Sequence, residues 1–224
     1  MPTPEELQLE YQIRFSAHDQ YRVQVWSVLC NDFFARYISP DDAVLDLGAG
    51  WGEFINQIPA SQKYAMDLNP ETGLRINDDV TFFQQDCSTP WQLPENSLDV
   101  VFTSNFLEHL PDKRSAVHTM EQAIRALKPN GRMICLGPNI AVLGGAYWDF
   151  WDHHIALSHH SIAELLTLSG FDIQYQCARF LPYSMSQGFK PPLFMLKFYL
   201  KIPIVWRFFG HQFLVIAQRP SASE

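Results

Sequence analysis

The sequence predicts an α/β fold, in which a mostly parallel sheet carries helices on both faces. Three observations indicate this fold: short apolar runs alternate with segments of helical periodicity, a glycine-rich turn follows the first run, and hydrophobic residues make up 47% of the 224 residues. Strands that are buried on both faces are apolar along their length, as in the run Val100-Val101-Phe102. Because only 18% of the residues are charged and no linker is evident, we expect a single globular domain over residues 1–224.

The individual elements follow from hydrophobic periodicity and from turn residues. The predicted strands lie at 43–47, 64–67, 80–84, 98–103, 133–137, 171–177 and 212–218, so the sheet has seven strands. The predicted helices lie at 16–37, 53–58, 113–127 and 161–169, with a further apolar and basic helix after Pro191-Pro192. Pro203 is expected to break or kink that last helix, because proline lacks the amide hydrogen that a helix interior needs. Residues 138–160 form an insertion that is rich in aromatic residues and histidine and has no regular period.

Cysteine spacing and the N-terminal residues limit the classes of protein to which the chain belongs. The four cysteines lie far apart and include no C-x-x-C pair, so neither a zinc ribbon nor a disulfide framework is predicted. The first ten residues are acidic and lack the apolar centre of a secretory signal. No uncharged apolar run reaches about 18 residues, so no membrane-spanning helix is predicted. We therefore expect a cytoplasmic protein.

Charge is distributed unevenly along the chain. The net charge is −8, yet residues 173–224 contain six basic residues and a single acid. The acidic remainder argues against nucleic acid as a partner. The basic tail is also rich in aromatic residues, which predicts peripheral contact with an anionic membrane through residues 191–209. A solvated basic face over a packed helix, a cover for the sheet edge and a dimer interface are the alternatives, and the oligomeric state is not predicted.

A turn with three glycines follows the first predicted strand and indicates a ligand site. Glycine lets the main chain adopt positive φ angles and lets a ligand approach it closely. The dinucleotide fingerprint G-x-G-x-x-G is not matched, because its last position is Glu53, and a carboxylate there would repel a pyrophosphate. No G-K-[ST] sequence follows, which excludes a P-loop. The turn therefore favours a nucleoside without phosphates whose cationic part tolerates nearby acids.

The string Asp46-Leu47-Gly48-Ala49-Gly50-Trp51-Gly52 closely resembles the first motif of the class I S-adenosylmethionine-dependent methyltransferases. Four further signals follow in the order of that family. Asp67 ends the second strand, Gln85-Asp86-Cys87 follows the third, 98–110 is similar to the fourth strand and its loop, and 127–132 is similar to the turn into the fifth. The resemblance covers about residues 43–137 and implies a Rossmann-like class I methyltransferase fold. It also implies S-adenosylmethionine as methyl donor and S-adenosylhomocysteine as product.

The resemblance implies a set of cofactor-binding residues. They are Asp46, Gly48, Ala49, Gly50, Gly52, Asp67, Leu68, Asp86, Cys87, Asn105 and Phe106. By analogy with the family, Asp67 accepts hydrogen bonds from the ribose hydroxyls and Asp86 contacts the adenine amino group. The structural alternatives are a helix cap at Asp46, a turn at Asp67 and a loop acid at Asp86. The chain then divides into an N-terminal lid at 1–40, a cofactor-binding core at 41–137, and an acceptor insertion with the C-terminal part at 138–224.

Catalysis and acceptor binding are assigned to histidines and aromatic residues outside that core. His109, His153 and His154 are candidate proton acceptors, because imidazole titrates in the useful range; packing and helix capping are the alternatives. Asp152 can orient a neighbouring imidazole. The candidate acceptor-binding residues are Tyr11, Tyr147, Trp148 and Trp151. No metal is predicted, because the four histidines between 153 and 160 match no standard ligand spacing.

Three stretches resemble a subgroup of bacterial class I methyltransferases associated with surface-polysaccharide gene clusters: 147–154 (YWDFWDHH), 179–183 (RFLPY) and 206–213 (WRFFGHQF). That resemblance implies a role in polysaccharide biosynthesis and a sugar or lipid-linked acceptor. The predicted function is methyl transfer from S-adenosylmethionine to a small-molecule, sugar or lipid-linked acceptor. A catalytically silent binding or regulatory module with the same fold is the main alternative. A nicotinamide-dependent oxidoreductase is the third, which Glu53 disfavours.

Overall fold

A computed structural model describes residues 19–183 and 190–221 of the chain. Its strands are β1 (Ala43–Leu47), β2 (Gln62–Asp67), β3 (Val80–Gln84), β4 (Leu98–Ser104), β5 (Leu127–Pro138), β6 (Asp172–Cys177) and β7 (Gln212–Gln218). They form one sheet in the order β3-β2-β1-β4-β5-β7-β6. Strands β1 to β5 pair in parallel, and β7 lies antiparallel between β5 and β6. The predicted α/β fold with a mostly parallel, seven-stranded sheet is confirmed.

Six α-helices and four short 3-10 turns connect these strands within the described residues. The helices are α1 (Asp19–Asp32), α2 (Lys113–Ala126), α3 (Ile140–Leu143), α4 (His159–Leu168), α5 (Leu193–Lys201) and α6 (Pro203–Phe209). The 3-10 turns are Phe34–Arg36, Pro70–Leu74, Leu107–His109 and Gly144–Asp149. The chain breaks between α5 and α6 at Pro203, as predicted. Helix α4 begins with a capping box, in which Ser158 and Ser161 each accept the other's backbone N–H.

Two apolar layers enclose the sheet, which explains the apolar runs of the strands. On one face, β1 contributes Leu45 and Leu47, which pack with residues of α2 and α4 such as Met120. On the other face, Val44 packs with Leu29 of α1 and with residues of α5 and α6. Every residue of β1 is buried. The strand ends are therefore held rigidly, and the loops that follow them start from fixed positions.

The helix expected at 53–58 is absent, and this prediction is wrong. Residues 53–58 form hydrogen-bonded turns, in which the N–H groups of Asn56 and Ile58 donate to Gly52 and Phe54. Side-chain amides compete with helix formation here, because the Asn56 side chain donates to the carbonyl of Arg75 and accepts from the N–H of Asn77. Strand β5 also begins six residues earlier than predicted, since Leu127 already pairs with Leu98 before a bulge.

Candidate active site

The parallel strands end at one edge of the sheet, where a cavity of about 720 Å³ opens. That volume lies within the range of ligand pockets, roughly 300–1,000 Å³. All of the predicted cofactor-binding residues line the cavity except Gly52. They are Asp46, Gly48, Ala49, Gly50, Asp67, Leu68, Asp86, Cys87, Asn105 and Phe106. The topology thus brings together residues from the ends of four strands, as expected at a switch point of an open α/β sheet.

The glycine turn is fixed by main-chain hydrogen bonds to the end of β2. The N–H groups of Gly48 and Ala49 donate to the carbonyl of Met66, at 2.9 and 3.2 Å. Gly48 has a φ of +74°, and a Cβ at this position would lie 2.2 Å from Cγ of Phe106. The turn therefore requires glycine at position 48 for two reasons: the positive φ angle, and the absence of room for a side chain beside Phe106. Gly52 also has a positive φ, but it faces away from the cavity toward Ile76 and serves the turn alone.

Two buried carboxylates lie at the inner end of the cavity. Asp46 and Asp67 are only 4% and 8% exposed. Both oxygens of Asp67 accept backbone N–H groups, Oδ2 from Gly50 and Oδ1 from Asn69, each at 2.8 Å. Burial raises the pKa of Asp46 well above its ordinary value, and the nearby acids Glu53 and Asp67 raise it further. Burial also raises the pKa of Asp67, against the lowering effect of those backbone N–H groups. A cationic ligand would relieve this accumulation of negative charge.

The next residues along the cavity follow β3. Oδ1 of Asp86 accepts hydrogen bonds from the backbone and hydroxyl of Ser88, both at 2.8 Å. Cys87 is buried, and burial raises the pKa of its thiol to about 12. This thiol is therefore protonated near neutral pH and contributes shape rather than nucleophilic chemistry.

Helix α1 covers the cavity with residues that the sequence patterns did not single out. Arg22 and Trp26 of this helix line the cavity. The guanidinium of Arg22 lies 2.8 Å from a carboxylate oxygen of Glu53, which links the helix to the glycine turn. Tyr21, by contrast, donates its hydroxyl hydrogen to the carbonyl of Pro191 and lies away from the cavity. Tyr11, predicted to belong to the lid, lies outside the described residues.

At the opposite end, a cluster of imidazoles and carboxylates forms between the loops after β4 and β5. Nδ1 of His109 lies 3.0 Å from Oδ2 of Asp152 and 3.0 Å from its backbone carbonyl oxygen. Nε2 of His109 lies 3.8 Å from Oε1 of Glu108, which is 1% exposed. Burial alone would lower the pKa of His109, but the hydrogen bond to Asp152 and the charge of Glu108 raise it above its ordinary value. Asp152 was expected to orient a neighbouring imidazole, and in the structure it contacts His109.

His153 and His154 also line the cavity, but in different surroundings. The ring of His153 is buried against those of Phe150 and Tyr147, with centroids 5.2 and 4.7 Å away. His154 is exposed. The later pair, His159 and His160, does not join them. These rings contact each other in a tilted arrangement at the start of α4, and His159 contacts the side chain of Asn139. The four histidines of this segment therefore form two separate groups.

The aromatic residues of the insertion divide in the same way. Trp151 lines the cavity mouth and is 92% exposed, next to Phe150 and Tyr183. Tyr147 does not line the cavity, although the sequence predicted it to bind the acceptor. It is fully buried, and its hydroxyl donates to the carbonyl of Ile155 and accepts from the N–H of Leu157. Trp148 is half exposed and packs edge-on against Tyr147, outside the cavity lining.

Comparison with known proteins identifies the family. Residues 18–176 match the family profile described as a methyltransferase domain. A curated relative, the 27-O-demethylrifamycin SV methyltransferase of Amycolatopsis mediterranei strain S699, is 30% identical over 103 residues. That match covers 41% of this chain and 37% of the relative, so the chain spans little more than a third of the relative's length.

Solved structures agree on the fold. A SAM-dependent methyltransferase from Archaeoglobus fulgidus superposes with a TM-score of 0.63 at 17% identity, over 95% of this chain and 99% of that chain. A methyltransferase in complex with the Haloferax volcanii Trm112 methyltransferase activator gives a TM-score of 0.62 at 17% identity, over 88% and 97% of the two chains. At such identities the likeness concerns the fold, whereas the profile match covers most of the chain. The chain therefore belongs to the family of class I S-adenosylmethionine-dependent methyltransferases, as its motifs predicted.

Proposed function

We propose that this methyltransferase transfers the methyl group to an oxygen of a small-molecule, sugar or lipid-linked acceptor. The observation that carries the proposal is that one continuous cavity joins the buried carboxylates at the ends of β1 and β2 to the imidazole cluster and Trp151. One end of the cavity is thus suited to a cationic nucleoside and the other to a nucleophile that must lose a proton. The name of the rifamycin relative, which specifies an oxygen as its methylation site, supports an oxygen acceptor.

The inner end fits S-adenosylmethionine, which supplies a methyl group already activated on a positively charged sulfur. Gly48 and Gly50 leave the main chain accessible beside the cavity, with φ angles of +74° and +54°. Asp67 can accept ribose hydroxyls with the lone pairs that its two backbone contacts leave over. Asp46 and Asp67 supply the negative character that suits a sulfonium and an ammonium and that would oppose a pyrophosphate, whereas Glu53 is paired with Arg22.

At the outer end, this chain's residues orient the acceptor and accept its proton. Trp151 and Phe150 offer aromatic faces at the mouth of the cavity, which suit a sugar ring or an aromatic acceptor. His109, His153 and His154 are the imidazoles within the lining, and one of them accepts the hydroxyl proton. Holding the nucleophile in line with the methyl group can contribute on the order of 7–11 kcal/mol.

Calorimetric titration tests the cofactor assignment. We expect purified protein to bind S-adenosylmethionine and S-adenosylhomocysteine but not NAD. Asp67→Ala should weaken both by roughly 10- to 100-fold, because it removes a charged hydrogen-bond acceptor. Asp79→Ala is the matched control: it removes an exposed carboxylate that pairs with Lys63 at 2.8 Å, on the edge of β3. Binding of NAD without binding of S-adenosylmethionine would contradict the proposal.

Turnover separates an enzyme from a silent module. Protein and S-adenosylmethionine are incubated with a panel of hydroxylated acceptors, and formation of S-adenosylhomocysteine is measured. The proposal expects product with at least one acceptor, and alanine at the responsible imidazole should lower kcat while leaving cofactor affinity nearly unchanged. Full turnover in all three single variants, His109→Ala, His153→Ala and His154→Ala, would show that none of them is the base.

We further propose that the protein works at the cytoplasmic surface of an anionic membrane, which favours a lipid-linked sugar of polysaccharide biosynthesis as acceptor. In the parts of the chain that the structure describes, no helix has the length and apolarity to cross a bilayer. Helices α5 and α6 instead carry an outer apolar face. Its exposed members are Phe194, Met195, Phe198, Ile202, Ile204, Phe208 and Phe209.

The surroundings of this outer face suit a lipid surface. Lys190, Lys201 and Arg207 are exposed beside it and can approach anionic headgroups. The opposite side of the two helices is anchored in the core by Leu196, Leu200 and Trp206. The two helices are therefore packed on the protein by their inner side, and the apolar residues of the outer face are exposed in addition to that packing. Their exposure to water is unfavourable unless a partner covers them.

Flotation with vesicles tests this surface. Vesicles of phosphatidylcholine with phosphatidylglycerol should carry the protein at low salt and less of it at high salt, because headgroup attraction is screened. The double variant Phe198→Ser/Phe208→Ser should lose flotation. Leu168→Ser is the control, since Leu168 is also exposed (82%) but lies on α4, whose buried residues pack in the other layer. Absence of flotation at low salt would overturn the membrane proposal.

A further inference from the structure

Three metal-ligating side chains converge at the outer end of the cavity. They are Glu108 and His109, from the 3-10 turn after β4, and His153, from the segment after β5. One ligand atom from each lies within 4.8 Å of the other two. Glu108 and His153 are buried and His109 is partly buried, so this is not a chance meeting of solvated side chains. All three line the cavity.

The two segments that carry these residues are joined through the main chain. The N–H groups of His154 and Ile155 both donate to the carbonyl of Glu108, at 2.8 and 3.2 Å. The His153 ring is confined by Tyr147, Phe150 and the His109 ring, whose centroid is 5.1 Å away. A site assembled from fixed side chains binds an ion without first having to order them.

The hydrogen bonds of His109 place its Nε2 atom, rather than Nδ1, in position to bind a metal ion. Nδ1 lies 3.0 Å from two oxygens of Asp152, a carboxylate and a backbone carbonyl, and both accept hydrogen bonds. The proton of a neutral imidazole is therefore held at Nδ1, and Nε2 presents its lone pair toward Glu108, 3.8 Å away. A carboxylate that fixes the far nitrogen of a ligating histidine is the usual supporting contact in metal sites.

We propose that Glu108, His109 and His153 bind one divalent cation of the zinc class, with coordination positions left open toward the cavity. Two imidazoles and a carboxylate are a donor set that zinc and its first-row neighbours accept. Ligand atoms around such an ion lie about 3.3 Å apart. The 3.8 Å between His109 and Glu108 must therefore shorten by about half an ångström. The widest separation in the cluster, up to 4.8 Å, must shorten by as much as about 1.5 Å, so binding requires the side chains to draw together.

The proposal deepens the function and rests on it, because an ion at this position faces the acceptor. An oxygen of the acceptor can fill an open coordination position, which fixes its place and makes its proton easier to remove. With His109 and His153 engaged as ligands, the exposed imidazole of His154 remains in the lining to accept that proton. The acceptor class is then one that offers an oxygen donor.

Metal binding is measured directly, without reference to turnover. Tag-free protein is dialysed against a chelator and titrated with CoCl₂, whose visible absorption reports coordination, and with ZnCl₂ in competition with a chromophoric chelator. We expect a single equivalent of either metal to bind. Glu108→Gln, His109→Asn and His153→Asn should each weaken binding by more than tenfold, and Asp152→Asn by about tenfold. His118→Asn is the matched control, because His118 is exposed on α2, outside the cavity lining.

The outcomes separate this inference from the proposed function. Circular dichroism shows which variants are folded; if Glu108→Gln is not, the two histidine variants suffice. Absence of a bound equivalent, or equal loss in His118→Asn and His153→Asn, overturns the metal site. If S-adenosylmethionine still binds in that case, the methyltransferase function stands without a metal. If the metal binds and S-adenosylmethionine does not, the site stands and the proposed function fails.

Discussion

The two ends of the cavity are built from different parts of the chain. The inner end consists of a glycine turn and two buried carboxylates, Asp46 and Asp67. Backbone hydrogen bonds fix the turn to the end of β2 and hold both oxygens of Asp67. The outer end consists of side chains from the turn after β4 and from the irregular segment after β5. The two inner carboxylates, Asp46 and Asp67, are both buried, whereas exposure at the outer end ranges from 1% at Glu108 to 92% at Trp151. Main-chain geometry therefore fixes the proposed cofactor end, whereas the proposed acceptor end can change by side-chain substitution.

The largest effect at the inner end is expected from Gly48→Ala. The new Cβ would lie 2.2 Å from Cγ of Phe106, at a φ of +74° that alanine adopts poorly. We expect affinity for S-adenosylhomocysteine to fall by about a hundredfold, or roughly 3 kcal/mol, in calorimetric titration. Gly145→Ala is the control, because a Cβ there meets nothing within 4 Å. Equal affinities of the two variants would show that the turn does not define the cofactor site.

Asp46→Asn tests whether the buried charge of Asp46 lowers the stability of the protein while strengthening cofactor binding. Burial, Glu53 and Asp67 raise the pKa of Asp46, so ionised Asp46 destabilises the cofactor-free protein. The variant should therefore have a higher Tm at neutral pH and bind S-adenosylmethionine more weakly. Below the ordinary pKa of about 4, where Asp46 is protonated in both states, the gain in Tm should vanish. A gain that persists at low pH, or a Tm that falls at neutral pH, would contradict this account.

Tyr147→Phe tests the support beneath the outer end. The change removes the hydroxyl that bridges Ile155 and Leu157 in the interior. We expect a loss of about 1–3 kcal/mol in the free energy of unfolding, measured by urea denaturation, because the N–H of Leu157 loses its partner. Cofactor affinity should not change. A stable variant with weakened acceptor binding would instead place Tyr147 in the site, as its sequence context suggested.

Trp151→Ala should have the smallest effect, confined to the acceptor. Its side chain is exposed at the cavity mouth, so its removal should raise the KM for the acceptor by roughly 2- to 10-fold and leave stability and cofactor affinity unchanged. Trp148→Ala is the comparison on the same segment, since Trp148 is also exposed but lies outside the lining. A larger rise in KM for Trp148→Ala would indicate that Trp148, rather than Trp151, contacts the acceptor.

The difference between the two ends also explains which features could be predicted from the sequence. The glycine turn and Asp67 were predictable, because their geometry depends on contiguous residues at the ends of strands. The grouping of Glu108 with His153 was not, since 44 intervening residues separate them and no local spacing records their meeting. Tyr147 and Trp151 look alike in sequence, because aromatic residues suit both a core and a binding surface. The helix expected at 53–58 failed for a related reason: tertiary contacts of the Asn56 amide outweighed local periodicity.

The contact between Phe106 and Gly48 bears on the order in which the enzyme's two substrates bind. The Phe106 ring lies on the glycine turn, and the next residues of the chain form the 3-10 turn that carries Glu108 and His109. In the proposed cofactor site, a methyl donor resting against Gly48 would contact this ring, and the groups proposed to meet the acceptor lie only two and three positions further along. On the proposed placement of the two substrates, donor binding would complete the surface that meets the acceptor. The kinetic mechanism should be sequential and ordered, with the donor entering first and its demethylated product leaving last.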